Sequence, residues 1–514
     1  MIQIRLSEID FDYEIQALVC SFFPGQRCLV ALEDAPSEDA LLSIHICLGS
    51  QEIVVSVALA DYFMTETASV TGEGDWHKHE DKSAHPYRTY YKNVLKKLVF
   101  LSLQNIPEEK LVVGLERRIP EWGTMTGVRP TKIPMNALLA GKSIEEVERE
   151  LKEWYLCTEE KRKLCMDIAV KEAKLLSEVD FEGGYSLYIG IPFCPTTCLY
   201  CSFTSYPYER FGHLADEYLE ALLYELREVA GRCKGHKLTS IYIGGGTPTT
   251  LSALQLERLL AAVRECFGQE ESYEFTVEAG RPDSITREKL QVLRKYQVER
   301  ISVNPQTMQQ KTLDFIGRRH SVEETIQAFT LARELGFTNI NMDLIIGLPG
   351  ETLDDFKETL AKIHALKPDS ITVHSLVIKR ASRLRSVLEE QGDYLQVEIN
   401  RREIMEQMYK EACRFAGEHG YAPYYMYRQK NSAGHFGSSG QENIGFSKEG
   451  KECLYNILIM EEMQTILAVG AGASTKIYHS DKKIVRRVEN VKNITDYISR
   501  IMEMAERKKD IFKT

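Results

Sequence analysis

No stretch of this 514-residue chain reaches the roughly 18 consecutive apolar residues of a membrane span, so the sequence predicts none. Excess positive charge is missing too. The 64 Lys and Arg against 75 Asp and Glu leave a net charge of -11, which excludes the global basic field behind non-specific nucleic-acid binding. Any anionic partner must meet a local basic cluster. The opening MIQIRLSEIDFDYEIQ alternates polar and apolar residues and carries acids early, unlike a secretory signal, and the chain reads as cytoplasmic. Disulfide spacing is also lacking: nine of the 12 cysteines (Cys20, Cys28, Cys47, Cys157, Cys165, Cys233, Cys266, Cys413, Cys453) are scattered singly and read as reduced packing residues. No internal repeat stands out beyond an alternation of strands and helices.

That alternation begins near residue 185. Short β-branched runs (YSLYIGI, TSIYIGG, YEFTVEA, ERISVNP, NINMDLIIG, DSITVHSLVI) are separated by segments such as LSALQLERLLAAVREC, whose apolar residues recur at helical spacing. Six such units imply a parallel sheet, either doubly wound or an incomplete barrel, and both place their chemistry at the carboxyl ends of the strands. The length calls for two or three domains. We read 1–115 as an α+β domain, 116–180 as a turn-rich and helical connector, 181–385 as the α/β core and 386–514 as a mainly helical cap.

Outside the core, His77, His79 and His85 beside Asp75 and Glu80 form a polar loop that is either a metal set or a charged surface loop. Arg129 and Lys132 in EWGTMTGVRPTKI suit an anion or cap a turn. Within the cap, one helix is expected through YNILIMEEMQTILAVGAGAS, and GSSGQ (437–441) has the composition of a flexible linker.

Three cysteines are different. In YIGIPFCPTTCLYC, Cys194, Cys198 and Cys201 leave the end of the first strand. A structural zinc wants four ligands, usually as two pairs, whereas an iron–sulfur cubane can be held by three thiolates with one iron open. Spacing separates these weakly; the absence of a completing pair nearby favours the cubane. The second strand ends in Gly244–Gly246 followed by Thr247 and Thr249, which offer backbone access and hydroxyls. Glu278, Gln306 and Asp343 belong to later strands or their ends, and Arg318 follows in FIGRRH. Polar groups therefore converge on one rim.

CxxxCxxC with an aromatic before its last cysteine, followed by GGGTPT, resembles the radical S-adenosylmethionine enzymes. YIGIPFC is similar to their oxygen-independent coproporphyrinogen III dehydrogenase family, and GVRPTK, HSLVIKRAS and YYMYRQKN resemble its HemZ branch. The resemblance implies an incomplete parallel (β/α)6 barrel. It implies a four-iron four-sulfur cluster on Cys194, Cys198 and Cys201, whose open iron chelates S-adenosylmethionine. Tyr188 (also placed as catalytic), Tyr200, Gly245, Gly246, Thr247, Glu278, Gln306, Arg318 and Asp343 would surround that cofactor, and Val377 would meet a second molecule of it. A reduced cluster in that family cleaves the sulfonium, and the resulting 5′-deoxyadenosyl radical takes hydrogen from a propionate, after which carbon dioxide leaves, one electron passes to a final acceptor and a vinyl group remains. Lys379, Arg380, Arg383 and Arg385 lie where the carboxylates of such a porphyrinogen would be read, and equally form a solvated basic turn. A reductase or a flavodoxin- or ferredoxin-type donor is implied.

Two positions depart from that pattern. Gly190 stands where the dehydrogenase has histidine, and Phe203 where it has a further cysteine. These changes leave cluster and cofactor binding intact and put the identical reaction in question. A heme or porphyrin chaperone is the weaker alternative, since the chaperones' carboxyl-terminal heme motif has no counterpart in ECLYNILIMEEMQTILAVGAG, and two bound S-adenosylmethionine molecules could also serve methyl transfer or another modification.

Overall fold

The computed structural model describes residues 1–33, 40–70, 86–181, 183–268, 274–378, 382–390, 394–429, 442–480 and 484–512. The loop with His77, His79 and His85, the GSSGQ stretch, Lys379 and Arg380 lie outside them. The chain divides into two compact units, Met1–Ala173 with Tyr427–Gln441, and Lys174–Met426 with Glu442–Thr514.

The first unit contains a five-stranded sheet of β1 (Ile2–Leu6), β2 (Cys28–Leu32), β3 (Leu42–Leu48), β4 (Glu52–Leu59) and β5 (Tyr62–Ser69), in the order β2-β1-β3-β4-β5. Strict alternation in β4 buries Ile53, Val55, Val57 and Leu59, so one face is apolar. Helices Asp12–Phe22 and Pro86–Gln104 contribute Leu18, Phe22, Leu95 and Phe100 to the same core, with Phe22 and Phe100 edge to face at 4.9 Å. Arg129 and Lys132 belong to this unit, at a turn and at the start of helix Lys132–Leu139.

In the second unit all six expected strands form: β6 (Gly184–Ile191), then, after the two-residue β7 (Phe193–Cys194) and β8 (Tyr206–Pro207), β9 (Lys237–Gly245), β10 (Glu274–Gly280), β11 (Arg300–Val303), β12 (Asn339–Ile346) and β13 (Ser370–Ser375). The six pair in parallel and in chain order, β6-β9-β10-β11-β12-β13. A doubly wound sheet reverses its order at a switch point; an unreversed order belongs to a barrel. The partial barrel is thereby decided.

Helices fill the crossovers because each has an amphipathic sequence and a stop or start signal. Ser252, Ser321 and Thr352 cap Ala253–Phe267, Val322–Glu334 and Leu353–Leu366, each in a reciprocal box with Gln255, Glu324 or Asp355. The third box uses aspartate where glutamate or glutamine is usual.

The carboxyl-terminal region supplies helices and also five strands: β14 (Ala422–Arg428), β15 (Glu442–Ser447), β16 (Thr465–Val469), β17 (Ser474–His479) and β18 (Ile484–Glu489). They extend both edges of the barrel sheet, in the order β14-β15-β13 at one side and β6-β16-β17-β18 at the other. The single helix expected through YNILIMEEMQTILAVGAGAS is corrected here. It stops at Glu461, Glu462 turns left-handed at φ 50°, and TILAV becomes β16, parallel to β6 and buried at every position. Local pattern could not separate these, since a short apolar run fits helix or buried strand alike. The free edge of β6 chose the strand.

Candidate active site

The carboxyl ends of β6, β9, β10, β11, β12 and β13 face one rim, and those strands and the loops leaving them carry the three cysteines, the glycine loop and the candidate cofactor contacts. The cysteine loop follows β6. It is tied down by Thr196 Oγ1 donating to Gly317 O at 3.1 Å, Leu199 N–H to Ile316 O at 3.0 Å, and Cys201 N–H to Cys198 O at 3.1 Å. Next to it, the glycine loop after β9 is stitched on by Gly246 N–H to Ile191 O and Thr247 N–H to Phe193 O, both 2.7 Å. A Cβ on Gly246 would stand 2.4 Å from Phe193 O and 3.0 Å from Cys194 Sγ, so the two loops meet only because that residue has no side chain. Thr247 Oγ1 lies 3.6 Å from Cys194 Sγ. Thr249, by contrast, is turned inward, donating to Ala279 O at 2.7 Å, and is structural.

All three cysteines are free thiols. Burial raises Cys201 and pushes Cys194 up to about 11, so loading a metal there must release protons. Their sulfurs are not gathered within 4.8 Å of one another; among the described residues only Glu33, His45 and Cys47 meet that spacing. Three thiolates are one short of a closed structural zinc site and match the number of anchors an open cubane takes. In the first unit, Glu33 approaches His45 Nε2 at 2.9 Å while Cys47 sits 4.0 Å from Nδ1, at the opposite ring nitrogen, so those three do not converge on one point.

The other rim residues are locked by neighbours. Glu278 in β10 accepts a hydrogen bond from Tyr242 Oη. Burial pushes its carboxyl up to about 7, the Tyr242 bond opposing and the Asp343 charge adding to the rise. Tyr188 and Tyr242 occupy paired positions on β6 and β9, and both stack with Tyr455, with ring centroids 6.3 Å (Tyr188–Tyr242), 6.2 Å (Tyr188–Tyr455) and 4.4 Å (Tyr242–Tyr455). Tyr455 arrives from helix Leu454–Glu461, whose first N–H groups at Leu454 and Tyr455 bond Glu274 at 2.6 and 3.2 Å. No local signal marked it.

Asn304, just beyond β11, was likewise missed, although it organises two expected residues. Its Oδ1 accepts from Asp343 N–H at 3.1 Å and its carbonyl from Arg318 Nη2 at 2.6 Å. Arg318 Nη1 also reaches Tyr200 Oη at 3.4 Å. Asp343 is oriented by Asn341 Nδ2 at 2.7 Å. Gln306 holds a left-handed φ of 68° because its backbone bonds β12 on both sides, N–H to Asp343 O and O to Ile345 N–H, each 2.9 Å. Val377 is half-buried after β13, Arg383 is exposed, and Arg385 Nε pairs with Glu389 at 2.6 Å.

Comparison with known proteins fits this geometry. The Radical SAM superfamily profile matches residues 188–363. The oxygen-independent coproporphyrinogen-III oxidase-like protein HemZ of Bacillus subtilis is 39% identical over 466 residues, 89% of each chain. The chain belongs to the HemZ family of radical SAM proteins. That superfamily uses a four-iron four-sulfur cluster and S-adenosylmethionine. Related to this HemZ-family member are also the B. subtilis heme chaperone HemW, 31% identical over 62% of this chain and 76% of its own, and the Escherichia coli oxygen-independent coproporphyrinogen III oxidase, 35% identical over 37% and 41%. The solved structure of the E. coli oxidase HemN, described as a radical SAM enzyme, is similar with a TM-score of 0.49 and 24% identity over 65% of this chain and 73% of its own. Among the described residues, no helix of the HemZ-family chain is long and apolar enough to cross a membrane.

Proposed function

We propose that the chain is a radical S-adenosylmethionine oxidoreductase acting on a porphyrinogen in heme biosynthesis, converting propionates of coproporphyrinogen III to vinyls by oxidative decarboxylation in the cytoplasm. Cys194, Cys198 and Cys201 anchor the cluster. When bound, cluster and S-adenosylmethionine supply hydrogen abstraction from an unactivated carbon. Tyr188, Tyr200, Gly245, Gly246, Thr247, Glu278, Gln306, Arg318 and Asp343 position the cofactor, Val377 meets a second molecule, and Lys379, Arg380, Arg383 and Arg385 read the substrate's carboxylates. A reductase, flavodoxin or ferredoxin supplies the electron. The observation that carries this reading is the close seam between cysteine and glycine loops at the rim where the polar strand ends meet. The HemZ and E. coli relatives' names supply the porphyrinogen.

A second reading, heme or porphyrin carriage, draws on the HemW likeness. Anaerobic loading with iron and sulfide, then mass spectrometry of a coproporphyrinogen assay, separates the two. Loss of carbon dioxide and two hydrogens per propionate supports the enzyme. Porphyrin binding with neither 5′-deoxyadenosine nor product supports carriage. 5′-Deoxyadenosine without decarboxylation points to methyl transfer or another modification.

Glu278 gives a pH test of cofactor binding. Only its ionised form offers the cofactor a full acceptor, and with a value near 7 it is protonated below that pH. Affinity for S-adenosylmethionine should therefore climb as pH rises to 7 and then level, being about tenfold weaker one unit below. Equilibrium dialysis of the loaded protein at several pH values checks this; Glu278→Gln should bind weakly without that slope.

A further inference from the structure

Arg281, one residue past β10, plays no part in the reading above, yet it is among the most constrained side chains at the rim. It is 3% exposed. Nε and Nη2 grip both oxygens of Asp283, at 2.9 and 2.6 Å. Nη1 is thereby aimed at the cysteine loop. It lies 2.9 Å from Thr196 Oγ1, 3.3 Å from Thr196 O and 3.8 Å from Cys198 Sγ. A carboxylate held in a two-point fork fixes the guanidinium plane, so the third nitrogen has little freedom to point elsewhere.

We propose that Arg281 is a positioning residue that donates an N–H to the Cys198 sulfur and so sets the reduction potential of the cluster that Cys198 anchors. The inference rests on the cysteine triad holding that cluster. The physical basis is that sulfur becomes more electron-rich when the cluster accepts an electron, so an N–H donor stabilises the reduced form more than the oxidised one. Arginine paired with aspartate is close to neutral as a unit, so the directed bond supplies the effect and Asp283 moderates it. A second guanidinium, Arg318, meets the loop at Tyr200 Oη, 3.4 Å from its Nη1. His320, 1% exposed, has neither ring nitrogen bonded to a described residue and is kept neutral by burial and by Arg318. It adds no competing positive charge.

Opposite signs in two variants distinguish this role from a tether. The full-length protein and its Arg281→Met, Arg281→Lys and Asp283→Asn variants are loaded anaerobically with iron and sulfide. Reduced cluster is then quantified by electron paramagnetic resonance at poised potentials. At the potential where the parent is half reduced, Arg281→Met should show a reduced-to-oxidised ratio about tenfold lower, equivalent to 59 mV for one electron. Arg281→Lys should fall between it and the parent. Asp283→Asn frees the full positive charge and should raise the ratio several-fold. Unchanged potentials, or shifts of one sign in the Arg281→Met and Asp283→Asn proteins, overturn the assignment. If Arg281→Met retains no iron, a fall for Arg281→Lys with a rise for Asp283→Asn still supports it. If every variant loses the cluster while the parent keeps it, Arg281 is a tether alone and the proposal fails. A parent that takes up no cluster refutes the cysteine triad instead.

Discussion

Replacing Cys198 by alanine should leave a folded chain that takes up essentially no iron–sulfur cluster and cleaves no S-adenosylmethionine. Removing one buried heavy atom costs about 1 kcal/mol of packing, which a protein of this size tolerates. Its chemical cost is far greater. With the sulfur gone, two thiolates remain to anchor a cluster, and Arg281 Nη1 loses the atom it points to at 3.8 Å. Iron and sulfide content, visible absorbance and 5′-deoxyadenosine release are the measurements. Cys233→Ala is the control: that thiol is buried too, but it donates to Val229 O at 3.4 Å within its own helix region and should leave loading unchanged. A Cys198→Ala protein that loads a full cluster would remove the foundation of the proposed chemistry.

The second large effect is on stability and falls far from the cysteines in the chain. Glu225→Ala should lower the unfolding free energy by about 3–5 kcal/mol, read as a shift in the urea midpoint. Glu225 is wholly buried and accepts four hydrogen bonds: Gly470 N–H at 2.9 Å, Asn490 Nδ2 at 2.8 Å, Tyr497 Oη at 2.5 Å and Lys508 Nζ at 2.6 Å. Truncation strands the Lys508 ammonium in the interior with, among the described residues, the Asn490 and Met504 carbonyl oxygens for company. Burial already lowers that amine's proton affinity, with Glu225 opposing, so the variant removes the charge that helps the lysine hold its proton. Glu225 also anchors Gly470, whose turn sits against Gly190 at the end of β6: a Cβ there would be 2.5 Å from Gly190 O. Cofactor binding should weaken along with stability. A midpoint within experimental scatter of the parent would show that the network is energetically idle.

Sequence pattern reached the barrel but not all of its strands. β6 and β9 to β13 announce themselves because each couples a β-branched run to a turn signal and an amphipathic helix. β16 does not. TILAV is a short apolar run like the one in the helix before it, and only pairing with β6, some 280 residues earlier, makes it a strand. Strand ends likewise exposed Glu278, Gln306, Arg318 and Asp343, since topology forces such positions to one rim. Which hydroxyl turns outward was not legible: Thr247 and Thr249 differ by two residues, yet one approaches Cys194 and the other bonds Ala279.

Chain-local chemistry by itself determined the cysteine loop, the glycine loop and their arrangement at the ends of parallel strands, because spacing and periodicity act over a few residues. Tertiary structure alone decided the contacts that tune this rim. Arg281 meets Cys198 across 83 residues, Tyr455 joins Glu274 across 181, and Lys508 closes on Glu225 across 283. Each depends on burial that strips water from polar groups and leaves them the partners the fold brings, and no sequence pattern records which partners those are.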